Sequence, residues 1–259
     1  MSLNAQKVGF PIARIDKGKW NGERIYCDDE DRDNPKIKTF KKLAIDKEDK
    51  GKFQLIPVKE ERDCLFVCGP AGSGKSYISA EYIHEYAKKN PNNDIYLFSN
   101  CNNDPAFEKL KIQQIKIGDN LIDDPIDFKQ FTNCVCIFDD IDSITPKWRT
   151  PIYEILDAIL ECSRKARVTC VLIQHLANAG LRSRRLMAES NIFIYFPFSA
   201  TKNTTRALET YFSVSNEQCK KIKSLRSRWA IIVRNIKMEN ICVTEKQVFL
   251  LEDEDLKKK

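Results

Sequence analysis

The chain has only two histidines, three methionines and nine glycines in 259 residues. No segment approaches ~18 uninterrupted apolar residues, which excludes a membrane-spanning helix as an organising element. The opening stretch Met1-Ser2-Leu3-Asn4-Ala5-Gln6-Lys7 lacks the apolar core of a signal peptide, so a cytosol-like location is expected. With two histidines and no C-x-x-C pair, little is available from which to build a zinc site. No N-K-x-D segment occurs, which removes the guanine-reading element of a GTPase. There is no internal repeat, and the only low-complexity piece is the charged tail, Glu252 to Lys259.

Cysteine, by contrast, is plentiful at ten residues. Cys64, Cys68, Cys134, Cys136, Cys170 and Cys242 fall inside apolar, strand-like runs, where a reduced thiol packs as a small hydrophobe. A hydrophobic fraction of 42% suits a folded domain rather than a disordered chain. The net charge of +6 and pI near 8.7 are compatible with a polyanionic partner without requiring one.

Residues 1–62 read as a highly charged, irregular and partly β extension, with short apolar pieces such as Val8 to Ile12 and Phe53 to Val58. Strand-like and helix-like stretches alternate from Cys64 onward. Cys64–Cys68, Asp94–Phe98, Cys134–Phe138, Val168–Ile173 and Ile192–Phe196 read as buried strands. Helices are expected from Ser76 to Lys89, with Ile78, Tyr82, Ile83 and Tyr86 on one face, and from about Pro151 to Lys165. Helical segments then follow Phe198, and late strands are expected over Trp229–Val233 and Val248–Leu251. Such alternation implies an α/β fold, a mainly parallel sheet with helices on both faces. The expected layout is a main domain over 63–251, preceded by the extension over 1–62 and followed by a tail over 252–259.

Gly69-Pro70-Ala71-Gly72-Ser73-Gly74-Lys75-Ser76 matches G-x-x-x-x-G-K-[ST], placed between a buried strand and a helix. Glycines there let the backbone wrap a phosphate, and the helix N-terminus presents its positive end to the same anion. Lys75 is expected at the β- and γ-phosphates of ATP and Ser76 on Mg²⁺, with Tyr77 completing the nucleotide-binding stretch. Val135-Cys136-Ile137-Phe138-Asp139-Asp140 is a buried strand ending in acids, the form of a Walker B motif. Asp139 would hold the magnesium and Asp140 would polarise the attacking water. Asp142 competes for the second role, and Asp140 and Asp142 also suit a simple turn. Gln174, delivered by the strand Val168–Ile173, can sense the γ-phosphate or serve as an ordinary loop residue. His175 reads as structural rather than as a catalytic base. Arg164 ends the preceding helix, where a solvated charge and a residue reaching a neighbour's ATP are both open.

Taken in this order, the motifs resemble the FtsK–HerA class of DNA-pumping ATPases. The resemblance is to the genome-packaging ATPases of large eukaryotic DNA viruses, the poxvirus and giant-virus type. It covers roughly Cys64 to Leu251 and rests on Phe138-Asp139-Asp140-Ile141-Asp142, Arg164 and Val171-Leu172-Ile173-Gln174. Asn191 to Pro197, Ser227-Arg228-Trp229 and Glu245 to Leu251 add to it. The chain departs from many relatives in carrying Asp140 where they have glutamate, and residues 1–60 match no known part. The resemblance implies Gln174 as sensor and Arg164, or second Arg206, acting in trans. It also implies a homo-oligomeric ring threading double-stranded DNA without regard to sequence, a capsid or portal partner, and a place in a cytoplasmic virus factory or virion. Arg182, Arg184 and Arg185, and Lys220, Lys221, Lys223 and Arg226, are basic clusters that suit either DNA phosphates or plain solvent. The alternative function is a nucleotide or small-molecule kinase with Leu181 to Leu186 as an arginine-bearing lid, or another ATPase not acting on DNA.

Overall fold

The computed structural model describes residues 1–28, 30, 37–100, 104–177, 181–235 and 239–252, with the side chains of 181–183 left aside. The expected tail lies outside the described residues apart from Glu252. The chain divides into two compact units, one of residues 59–190 and one of residues 1–58 with 191–259.

The second of these units opens with five short strands, β1 (Ser2–Asn4), β2 (Phe10–Asp16), β3 (Arg24–Asp28), β4 (Lys42–Ala44) and β5 (Lys52–Leu55). Four of them form an antiparallel sheet in the order β1-β3-β2-β5. Alternation buries Ala13 and Ile15 on β2 and Ile25 and Cys27 on β3, and Ile12 is buried at the irregularity between Pro11 and Ala13.

The 59–190 unit carries the phosphate loop. Its strands are β6 (Cys64–Cys68), β7 (Ile95–Ser99), β8 (Gln113–Lys116), β9 (Cys134–Asp139) and β10 (Val168–Gln174). Its helices are α1 (Lys75–Lys89), the single turn α2 (Asn120–Asp123), α3 (Pro146–Ala166) and α4 (Leu181–Glu189). The strands pair in parallel in the order β6-β10-β9-β7-β8. Strands β6, β9 and β10 read as nearly continuous apolar runs because a parallel strand is covered on both faces, and every residue of β6 and β10 is buried. Helices α1 and α3 pack against β10, and α4 against β6. On α1 the expected face of Ile78, Tyr82, Ile83 and Tyr86 is buried. Helix α3 starts earlier than expected, at Pro146, whose missing N–H costs nothing at the first helical position, and runs on through Pro151. Arg167 closes it in the left-handed conformation.

Past Ser190 the chain returns to the unit that holds the N-terminus. There β11 (Ile192–Tyr195), β12 (Ala230–Val233), β13 (Ile241–Thr244) and β14 (Gln247–Leu250) run antiparallel, and β4 adds to β14. Helices α5 (Lys202–Phe212) and α6 (Asn216–Ser224) each begin with a capping box, Thr201 with Thr204 and Ser215 with Gln218. The N-terminal stretch is tied into this unit by Lys246, whose Nζ donates to the carbonyls of Asp49 (2.5 Å) and Gly51 (2.7 Å).

Candidate active site

Parallel pairing fixes which strand ends lie together. Gln174 is in register with Cys68, and Ile173 with Asp139, so β6, β10 and β9 finish on one edge of the sheet. The glycine-rich loop leaves that edge from β6, Asp139 and Asp140 from β9, and Gln174 from β10. The loop is pinned there by the Gly69 N–H, which donates to the Gln174 carbonyl at 3.2 Å.

Within the loop, Gly72 (φ +73°) and Gly74 (φ +100°) occupy the left-handed region, which side chains other than glycine adopt only with strain. Gly74 is the N-cap of α1, and no side chain among the described residues caps that helix. Its first N–H groups are therefore open to an anion. Lys75 is buried, and its Nζ lies 3.4 Å from the Pro70 carbonyl and 3.3 Å from Nδ1 of His175. Ser76 follows at the same helix start, and Tyr77 is 71% exposed beside it.

Asp139 ends β9. Burial first, then the charges of Asp140, Asp104 and Asp142, push its carboxyl up to about 7, and Lys75 offsets part of this. Asp140 adopts φ +49°, with its N–H donating to the Ile173 carbonyl at 2.9 Å. Its Oδ2 lies 3.2 Å from Nε2 of His175, while its buried Oδ1 has no partner among the described residues. Asp142 is also pushed up, by burial and by Asp140. Gln174 is fully buried, and among the described residues neither its amide nitrogen nor its amide oxygen has a partner. The Ser73 hydroxyl is likewise buried and unpartnered.

These features suit a nucleotide with a divalent cation. Glycines in the left-handed region and uncapped amides form an anion cradle, and a carboxyl cluster that raises its own pKa gains from a bound cation. Unpartnered buried polar atoms of Ser73, Asp140 and Gln174 are costly unless something binds them.

Over 234 residues the chain is 31% identical to protein V3 of Sputnik virophage, covering 89% of this chain and 91% of that protein. The chain belongs to the family of this virophage protein. No protein-family model matches it. Among solved structures the fold is similar to that of the genome packaging NTPase B204 from Sulfolobus turreted icosahedral virus 2. With ATP-gammaS bound, that structure aligns at a TM-score of 0.51 and 16% identity, covering 72% of this chain and 98% of the other. With AMPPCP bound the values are 0.50, 17%, 72% and 99%. The fold is thus that of a P-loop NTPase.

Lys75, Ser76, Asp139, Asp140 and Gln174 all meet at this edge. Arg164 does not. It lies on the last turn of α3, before the opposite end of β10, a strand that spans ~20 Å. Its side chain is exposed, and Nε donates to Glu61 at 3.2 Å. Arg206 is exposed on α5. Of the basic clusters, Arg185 is paired with Glu161 and Asp157, whereas Lys220, Lys221, Lys223 and Arg226 are exposed on and just after α6. Two residues at this edge had no functional reading from sequence. Asp104 follows β7 and adds to the field on Asp139, and His175 stands between Lys75 and Asp140. Among the described residues no helix is long and apolar enough to cross a membrane.

Proposed function

We propose that this chain is an ATP-hydrolysing motor that moves double-stranded DNA, packaging a viral genome into a capsid. The observation that carries the reading is the meeting of Lys75, Asp139, Asp140 and Gln174 on one sheet edge, in a fold like that of a protein described as a genome packaging NTPase. Residues 63–251 serve as the motor, with residues 1–62 as an extension.

Each side chain has a distinct task. The amides from Gly69 to Ser76, with Lys75, hold the phosphates of ATP, and the exposed ring of Tyr77 is available to the nucleotide. Ser76 and Asp139 hold Mg²⁺, which supplies positive charge against the phosphate oxygens. Asp140 Oδ1, unpartnered among the described residues, accepts the proton of the attacking water. The Gln174 amide fixes that water's position beside it. Arg164 is too far from its own site and serves a neighbour's, so a homo-oligomeric ring is required for full turnover. Exposed lysines of α6 meet DNA phosphates, which carry charge without sequence and suit a motor that passes any duplex. The same reading places the protein in a cytoplasmic virus factory or a virion, docked to a capsid or portal component.

The test is ATP hydrolysis by the purified chain with and without long duplex DNA, using Lys75→Ala as the blank. Stimulation by DNA that disappears in the blank supports the motor. Turnover indifferent to DNA points to another P-loop role, and phosphate transfer to a small acceptor in place of water would identify a kinase.

A further inference from the structure

His175 is the first residue after β10, and its ring spans two groups that catalysis uses separately. Nδ1 lies 3.3 Å from Lys75 Nζ and Nε2 lies 3.2 Å from Asp140 Oδ2. An ammonium offers only donors and a carboxylate only acceptors. One tautomer of the neutral ring serves both: Nδ1 accepts from Lys75, and the Nε2–H donates to Asp140. Asp140 is fixed at its backbone by the bond to Ile173 and by the Ser143 hydroxyl, which donates to its carbonyl at 2.8 Å. The side-chain torsion of Asp140 is then set by the bond to His175.

Lys75 has two competing partners in such an arrangement. Its ammonium lies within hydrogen-bond reach of both His175 and the Pro70 carbonyl. Phosphates must draw it off the ring, after which the Nε2–H still holds Asp140 Oδ2 and leaves Oδ1 facing the reactants. We infer that His175 is a positioning residue that couples occupancy of the phosphate loop to the catalytic carboxylate, parking Lys75 in the empty site and orienting Asp140 in the filled one. This rests on the ATPase reading above.

Such a residue has opposite effects on binding and on turnover. In His175→Ala, Lys75 loses a competitor, so Mg·ATPγS binding by calorimetry should tighten about three- to ten-fold. Asp140 loses its orienting bond, so kcat should fall about 10- to 100-fold. His175→Gln, whose amide can also accept from Lys75 and donate to Asp140, should recover much of both and guards against a folding defect. Added to Asp140→Asn, His175→Ala should tighten binding as before yet reduce kcat no further. Weaker binding together with lower kcat in His175→Ala, no change in either, or the same fall of kcat on top of Asp140→Asn would each overturn the inference while wild-type turnover stands. A wild-type chain that neither binds nor hydrolyses ATP would overturn the ATPase reading itself, and this inference with it.

Discussion

Replacing Asp139 by asparagine should stabilise the nucleotide-free protein while removing its grip on magnesium. An unfolded aspartate titrates near ~3.9, whereas burial and three neighbouring carboxylates hold Asp139 at about 7 in the fold. Because the folded value is the higher one, the stabilising contribution is complete below about pH 4 and is lost as pH rises through about 7. The full difference of ~3 units corresponds to about 4 kcal/mol, and access of solvent to this half-buried group reduces it to roughly 2 kcal/mol. Asparagine has nearly the same shape and no charge, so it escapes this cost. At about 2–4 °C per kcal/mol for a chain of this size, Asp139→Asn should melt about 4–8 °C above wild type near pH 8. Near pH 5 only about a third of the titration range has been crossed, and the advantage should shrink accordingly. The assay is thermal unfolding without nucleotide or metal at both pH values, repeated with Mg·ATP. Mg·ATP should raise the wild-type melting temperature strongly and that of the variant weakly. A variant that is no more stable than wild type near pH 8, or whose gain does not change with pH, would refute the electrostatic argument.

Gln174→Met removes two buried polar atoms that have no partner among the described residues, so unfolding should show a gain of about 1–2 kcal/mol. Single-turnover hydrolysis should slow about 10- to 100-fold. Arg164→Ala should bind ATP nearly normally, lose about 10³-fold in turnover, and regain activity when mixed with Asp140→Asn subunits. No recovery in rings verified as mixed would count against action in trans. Lys220→Ala, Lys221→Ala and Lys223→Ala combined should weaken duplex binding and flatten its salt dependence, by a slope change of about 0.9 for each phosphate no longer neutralised. Unchanged salt dependence would move the DNA-binding surface elsewhere.

The strands that carry the site were legible because their burial is written into consecutive residues. β6, β9 and β10 are covered on both faces and need an apolar residue at nearly every position. Edge strands escape this rule: β8, Gln113-Gln114-Ile115-Lys116, and β4, Lys42-Leu43-Ala44, are largely exposed and carry no such pattern. The start of α3 was misplaced because Pro151 reads as a boundary, whereas Pro146 is the real one and the helix continues with one backbone donor missing. The loop of Gly69 to Ser76 and the strand end carrying Asp139 and Asp140 were legible for a different reason. Each is a contiguous segment whose chemistry is complete within a few residues. Asp104 and His175 have no such local mark, since each owes its role to residues far away in sequence.

Strand order explains which distant residues could have joined the site. In sequence β10 comes last of the five parallel strands, yet in the sheet it lies between β6 and β9. A residue just past β10 is therefore the one placed to touch both Lys75 and Asp140, as His175 does. A residue past β7, which borders β9 but not β6, reaches the acids alone, and Asp104 adds its charge to the field on Asp139. Gln174 and His175 are adjacent in sequence and divide the work by burial. The fully buried amide has no partner among the described residues, while the partly exposed ring contacts both Lys75 and Asp140. Any coupling between Lys75 and Asp140 within one subunit has its shortest route through the end of β10, where His175 touches both.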